Sequence, residues 1–269
     1  MNKEHTPADW AERQKSFEQW FGSPLGRRFI SDQQNCVRHQ TDDLVGARQL
    51  VVSVTHQWPL APDSDFAERI VATPRWQPDM PKSVVVCDAD ELPFPGNSMD
   101  LVILHHTPDF SAWPHQVVRE AFRVLRGGGQ LLVIGFNPIS LWGLRKAVTR
   151  NTAGPWGGRF MFRSRMEDWL SLLDFTVEES TCHFYSTTFR GRRYNRRRQE
   201  SDQLLWSLPR RGLHLLPLGA YYSIRATKRV CAPVARKPAW RRKNVVGMPA
   251  TPQLGASRGY RYRHTRDQD

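Results

Sequence analysis

The chain has 269 residues, 39% of them hydrophobic, and 39 Lys or Arg against 26 Asp or Glu give it a formal net charge of +13. That length suits one α/β domain of about 230 residues plus a tail, or two small domains, one core being the simpler reading. No run approaches the roughly 20 consecutive apolar residues needed to span a bilayer, and residues 1–17 lack the apolar core of an export signal, so a cytoplasmic protein without a transmembrane segment is expected.

In chain order, Trp10, Phe17, Trp20 and Phe21 recur among charges over 9–21 in a helix-like pattern that Gly22-Ser23-Pro24 ends. Residues 25–44 read as a second helix stopping near Gly46. QLVVSV at 49–54 is the first expected strand and RIVAT at 69–73 the second, followed by a Pro-rich link too short for a helix. Apolar runs at 84–87, 101–104 and 130–136 end in Asp88, in His105-His106 and in Asn137-Pro138, each like a buried strand opening into a polar loop. Between the last two, Trp113, Val117, Val118, Ala121, Phe122 and Leu125 return at three- and four-residue intervals, which makes an amphipathic helix stopped by Gly127-Gly128-Gly129. Strand, helix and strand form a βαβ unit, which demands a parallel sheet and places ligands outside the carboxyl ends of the strands. Beyond the loop GPWGG at 154–158, a helix is expected over 166–173 and further strands over 175–185 and 220–227.

The motif D-A-x-x-L-P-F stands at Asp88, Ala89, Leu92, Pro93 and Phe94, and is followed by Ser98-Met99-Asp100-Leu101-Val102, His105-His106, the helix and the glycine triplet. This succession resembles the core of class I S-adenosylmethionine-dependent methyltransferases, in particular their small-molecule branch, over about 29–136; residues 135–145 look like a narrower bacterial subgroup. The resemblance implies a doubly wound, mostly parallel seven-stranded sheet with an antiparallel edge strand, and S-adenosylmethionine as cofactor. It assigns Ser53, Val54 and Thr55 after the first strand, Asp88 and Ala89 after the third, and Leu104 and His105 at the end of the fourth to cofactor binding. Asp88 would accept the adenine amino group and the Ala89 N–H would meet a ring nitrogen. His106, Asn137, Trp142 and Arg145 fall where the family holds its substrate, expected to be a small molecule, and the helices before the first strand would help to form a lid.

Each assignment has a structural counterpart. Asp88 suits a cap for the turn toward Leu92. A histidine after the fourth strand either orients a substrate and removes its proton near neutral pH, or points into the helix layer as a satisfied polar group. Ser140 suits a helix N-cap with Leu141, Trp142 and Leu144 packed below it, and Trp10 and Trp20 suit core anchors.

Two departures from the family pattern bear on function. The first strand leaves through Ser53-Val54-Thr55-His56-Gln57-Trp58 with no glycine, although the family uses glycine there for positive φ and close backbone approach. The second strand runs into Thr73-Pro74-Arg75-Trp76 with no acid for the ribose hydroxyls, and the next acid is Asp79. Two readings follow: a methyltransferase acting on an unidentified substrate, or a methyltransferase-fold protein without catalysis that binds RNA or another anionic partner. A third reading, a nicotinamide dehydrogenase, shares the doubly wound sheet but lacks its own signature, the G-x-G-x-x-G after the first strand.

The positive charge is local. Six arginines lie between Arg190 and Arg198, and residues 228–269 hold eleven Lys or Arg against Asp267 and Asp269, so the rest of the chain is slightly acidic. Such segments are solvated appendages or contacts for RNA or an anionic surface. The expected organisation is N-terminal helices over 1–46, an α/β domain over 47–229 with a basic insertion at about 186–217 that would cover the site, and a disordered tail over 230–269. Cys36, Cys87, Cys182 and Cys231 are scattered and show no metal-ligand spacing, so free thiols and no metal are expected.

Overall fold

The computed structural model describes residues 7–61, 64–78, 80–149, 152–185 and 218–229. The arginine run, the amphipathic piece of the insertion, the tail and Asp79 lie outside these residues.

Seven strands form one sheet in the order β3-β2-β1-β4-β5-β7-β6. They are β1 (Gly46–Ser53), β2 (Phe66–Thr73), β3 (Val84–Val86), β4 (Met99–His105), β5 (Leu125–Phe136), β6 (Phe175–His183) and β7 (Tyr221–Lys228). β1 to β5 pair in parallel, and β7 enters antiparallel between β5 and β6. The two central strands are apolar on both faces, as a sheet covered on both sides requires. On one face, α3 (Pro114–Val124) and α5 (Arg163–Leu172) cover a mainly aliphatic core that includes Val102, Val117, Val133 and Ile224. On the other, α1 (Pro7–Phe21), α2 (Pro24–Thr41) and α4 (Leu141–Val148) cover an aromatic core built on Phe17, Phe29, Phe136 and Trp142.

Local chemistry fixes the helix ends. The Ser23 hydroxyl accepts from Gly26 N at 3.0 Å and Pro24 supplies a preset φ, which starts α2. Phe29, Ile30, Gln33, Val37 and Gln40 then form its buried stripe, so two polar side chains enter the interior with the apolar ones. At the C-terminus of α3, Lys228 from β7 donates to the carbonyls of Phe122 at 2.7 Å and Leu125 at 2.6 Å, filling acceptors that a helix end leaves open.

The glycine triplet does more than end that helix. α3 stops at Val124 and β5 begins at once, with Leu125 opposite Met99 and Gln130 opposite Leu101, so the triplet forms a bulge inside the strand. Gly128 has φ of 78°, and a Cβ on Gly129 would sit 2.9 Å from the Asp100 carbonyl. Asp100 itself joins three strands: its Oδ2 accepts from Ala47 N and Arg48 N, both at 2.8 Å, and its Oδ1 meets Arg126 at 2.5 Å. Among the described residues, no helix is long and apolar enough to cross a membrane.

Candidate functional site

A cleft of about 280 Å³ opens at the carboxyl ends of β1, β2 and β3. Val52, Ser53 and Val54 form its floor, Asp88 and Ala89 one wall, and Thr107, Phe110 and Trp113 the other. Trp10 and Gln14 of α1 close it from above, and Gln14 Nε2 donates to the Phe110 carbonyl at 3.1 Å to hold the helix there. The cleft therefore lies where an open α/β sheet binds its ligand.

The wall at Asp88 is braced from α3. Glu120 Oε2 accepts from Leu92 N at 3.1 Å, while Arg123 donates to the carbonyls of Leu92 at 2.7 Å and Phe94 at 2.8 Å and bonds Glu120. The Arg123 hydrogen bond holds the Glu120 carboxyl below its ordinary range. The turn beyond Asp88 closes through its carbonyl, which accepts from Glu91 N at 3.2 Å. The Asp88 side chain is thus not the cap that turn needs. It is exposed at the cleft, and neither its carboxylate nor the Ala89 N–H has a hydrogen-bond partner among the described residues. Cys87 beside it has its thiol pushed up to about 11 by burial, reinforced by the Asp88 charge, so it stays protonated at neutral pH.

After β1 the chain turns without glycine, and no residue from 54 to 58 has a positive φ. Hydroxyl groups hold the turn instead: Ser53 Oγ accepts from Thr55 N at 3.4 Å and Thr55 Oγ1 from Gln57 N at 3.1 Å. Beyond the end of β2, an acid carried in on α1 lies outside the lining of this cleft. Glu18 pairs with Arg75 and accepts from Gln77 Nε2 at 2.6 Å.

At the ends of β4 and β5 the character changes. His105 and His106 are both 0% exposed and belong to a buried relay. The Ser53 hydroxyl meets His105 Nδ1 at 2.9 Å, His105 Nε2 donates to Gln33 Oε1 at 3.0 Å, and Gln33 Nε2 donates to His106 Nε2 at 2.7 Å. His106 Nδ1 then donates to Asp109 Oδ2 at 2.8 Å, which also accepts from Phe136 N at 3.0 Å. With the Gln33 amide in this orientation each imidazole is neutral, one nitrogen donating and the other accepting. Burial agrees with that state: it pushes His105 down to about 3 and His106 well below its ordinary value, and raises the Asp109 carboxyl, against the Phe136 N–H and Lys146. Phe21 stacks on His105, while Phe136 and Phe29 stack on His106.

Of the residues assigned to the cofactor, Ser53, Val54, Asp88 and Ala89 meet around the cleft, whereas Thr55, Leu104 and His105 are buried outside its lining. Those assigned to substrate are not gathered at an opening. His106 is in the relay. Asn137 holds the β5 and β7 ends together, donating to the Gly219 carbonyl at 2.9 Å and accepting from Ile139 N at 3.0 Å. Trp142 is buried against Phe29, and the Arg145 guanidinium lies 3.9 Å from the Trp156 ring centroid. Ser140 does cap α4, accepting from Gly143 N at 3.0 Å, but Leu141 and Leu144 face solvent, so only Trp142 of the three packs below. Sequence reasoning missed Gln33, Asp109, Glu18 and Arg75. Asp109 was legible as a carboxylate three residues after His106; nothing local marks Gln33 or Glu18.

Residues 63–133 match the family model described as a methyltransferase domain. The chain is 46% identical over 95 residues to YafS of Escherichia coli K12, covering 35% of this chain and 39% of that protein. It is 39% identical over 56 residues to the mitochondrial 2-methoxy-6-polyprenyl-1,4-benzoquinol methylase of Caenorhabditis elegans, covering 21% and 20%. The chain thus spans well under half the length of either relative. A SAM-dependent methyltransferase from Thermotoga maritima superposes with a TM-score of 0.56 at 18% identity, over 83% of this chain and all of that one. By its strand order, its antiparallel β7 and these matches, the chain has the class I S-adenosylmethionine-dependent methyltransferase fold.

Proposed function

We propose that the protein is an S-adenosylmethionine-dependent methyltransferase whose cofactor enters the cleft beside Asp88. The observation that carries this reading is the pair formed by the exposed Asp88 carboxylate and the half-buried Ala89 N–H, an acceptor and a donor side by side at the cleft and without partners among the described residues. That pair matches the amino group and ring nitrogen on the edge of adenine, in a cleft whose lining includes Val54 and Phe110. The adenine end of the cofactor therefore fits the residues present. When bound, the cofactor supplies a methyl group on a sulfonium centre. The work left to the chain is to align that group with a small-molecule acceptor and exclude water, which needs no catalytic triad. α1 already covers the cleft and is the element suited to that exclusion.

Titration calorimetry with S-adenosylmethionine and S-adenosylhomocysteine tests the reading. Binding near 10 μM, about −7 kcal/mol, is expected, weakened at least several-fold by Asp88→Ala, since a hydrogen bond to a charged group contributes about 1.5–3 kcal/mol. Absence of binding at millimolar ligand by folded protein overturns it and leaves the methyltransferase fold serving as a binding module.

A further inference from the structure

A second concavity, of about 610 Å³, adjoins the cleft on the other side of Trp113, between the first turns of α3 and the segment entering α5. Arg119, Arg159 and Arg165 surround it, all exposed, and Asp90 is the one carboxylate in its lining. None of the three arginines has a carboxylate partner among the described residues, whereas their neighbours Arg123 and Arg163 are paired with Glu120 and Glu167. Between them His115 lies against Trp169 with ring centroids 3.6 Å apart, and the Arg165 guanidinium is 5.3 Å from the Trp169 centroid. Their convergence registers on His115, whose proton affinity is lowered first by burial and then by Arg165, Arg119 and Arg159. At the rim Trp113 is 68% exposed.

Three solvent-exposed guanidinium groups without a carboxylate partner among the described residues, beside an exposed indole, are what a phosphate chain with accessible bases would use. Guanidinium forks bond phosphate oxygens in pairs, and an indole offers a stacking face to any base. A duplex hides its base faces and would leave the indole unused. We propose that this groove binds single-stranded nucleic acid, with phosphates on Arg119, Arg159 and Arg165 and a base stacked on Trp113. The groove is built from other residues than the basic run at 190–198 and the tail, and binding there does not depend on methyl transfer.

The test is fluorescence anisotropy of the full chain with a labelled single strand of about 12 nucleotides, as RNA and as DNA, over a range of salt concentrations. Binding of either strand is expected, with the Arg119→Ala/Arg165→Ala double variant at least tenfold weaker and its log–log salt slope shallower by about 1.4, the release expected for two single-strand phosphates. Trp113→Ala should weaken binding by about 5- to 150-fold, the range for one lost base stack, and Trp113→Phe should restore most of it. All of these side chains are exposed, and circular dichroism checks that the variants fold. The proposal is overturned if these variants bind like the parent with the same salt slope, since the basic segments elsewhere would then be responsible. It is equally overturned if a duplex of the same length or a phosphorylated peptide of the same charge binds as tightly.

Discussion

The two halves of the sheet's carboxyl edge use their polar groups in opposite ways. At β3 an acceptor and a donor are left facing a cleft, while at β4 and β5 every imidazole nitrogen is bonded inside an aromatic wall. A polar group buried without a partner costs more than a made bond returns, so the closed half is committed to one arrangement, and the open half keeps its groups available to a ligand. The same edge thus separates residues that hold the protein together from residues that can recognise something else.

Mutations should divide along that line. The largest effect is expected in the closed half: Phe17 stacks on Phe110 with ring centroids 4.6 Å apart and is fully buried, so Phe17→Ala should cost about 3–5 kcal/mol in urea denaturation. Gln33→Leu should cost about 1–3 kcal/mol for each imidazole nitrogen it strands, and Gln33→Glu should not restore the parent stability because it removes the donor to His106. A third expectation concerns acid. The unfolded chain protonates His105 near 6.5 and the folded chain only near 3, so its contribution is complete above 6.5 and is lost as pH falls through that interval. Stability should therefore drop by about 1.4 kcal/mol per pH unit from His105 alone, and His105→Asn should flatten the profile measured between pH 7 and 4 by about one proton. The smallest effect belongs to the open half: Asp88→Ala should move stability by less than about 0.5 kcal/mol. A loss comparable to that of Gln33→Leu would mean that Asp88 is structural, and the contrast between the halves would collapse.

What the sequence made legible follows the same division. The cleft wall lies in a short motif directly after a strand, so periodicity and the D-A-x-x-L-P-F spacing were enough to locate Asp88 and Ala89. The relay is long-range: Gln33 meets His105 and His106 across 72 and 73 residues, and in sequence it is one more polar residue on an amphipathic helix. The ion pair beyond the end of β2 shows the same limit, because Glu18 reaches Arg75 from α1, 57 residues earlier in the chain. The glycine triplet was read by its commonest use, as a helix stop, although the sheet register makes it a bulge beneath Asp100. Strand number was recoverable because the apolar runs carry it, while the antiparallel edge came from the family resemblance; the exposure of Leu141 and Leu144 was not recoverable, since an apolar residue at helical spacing gives no sign that its face has been left to solvent.

The place of β7 has a consequence for assembly of the chain. Among the described residues β6 pairs with β7 alone, and β7, which follows it in sequence, joins it to β5. During synthesis β6 therefore emerges with both edges unpaired, and it stays an open template until the chain beyond the insertion has returned. Lys228, on the same late strand, also leaves the α3 carbonyls uncapped until then. Closing this sheet thus requires a long loop closure late in the chain, and the edge of β5 stays open until β7 arrives.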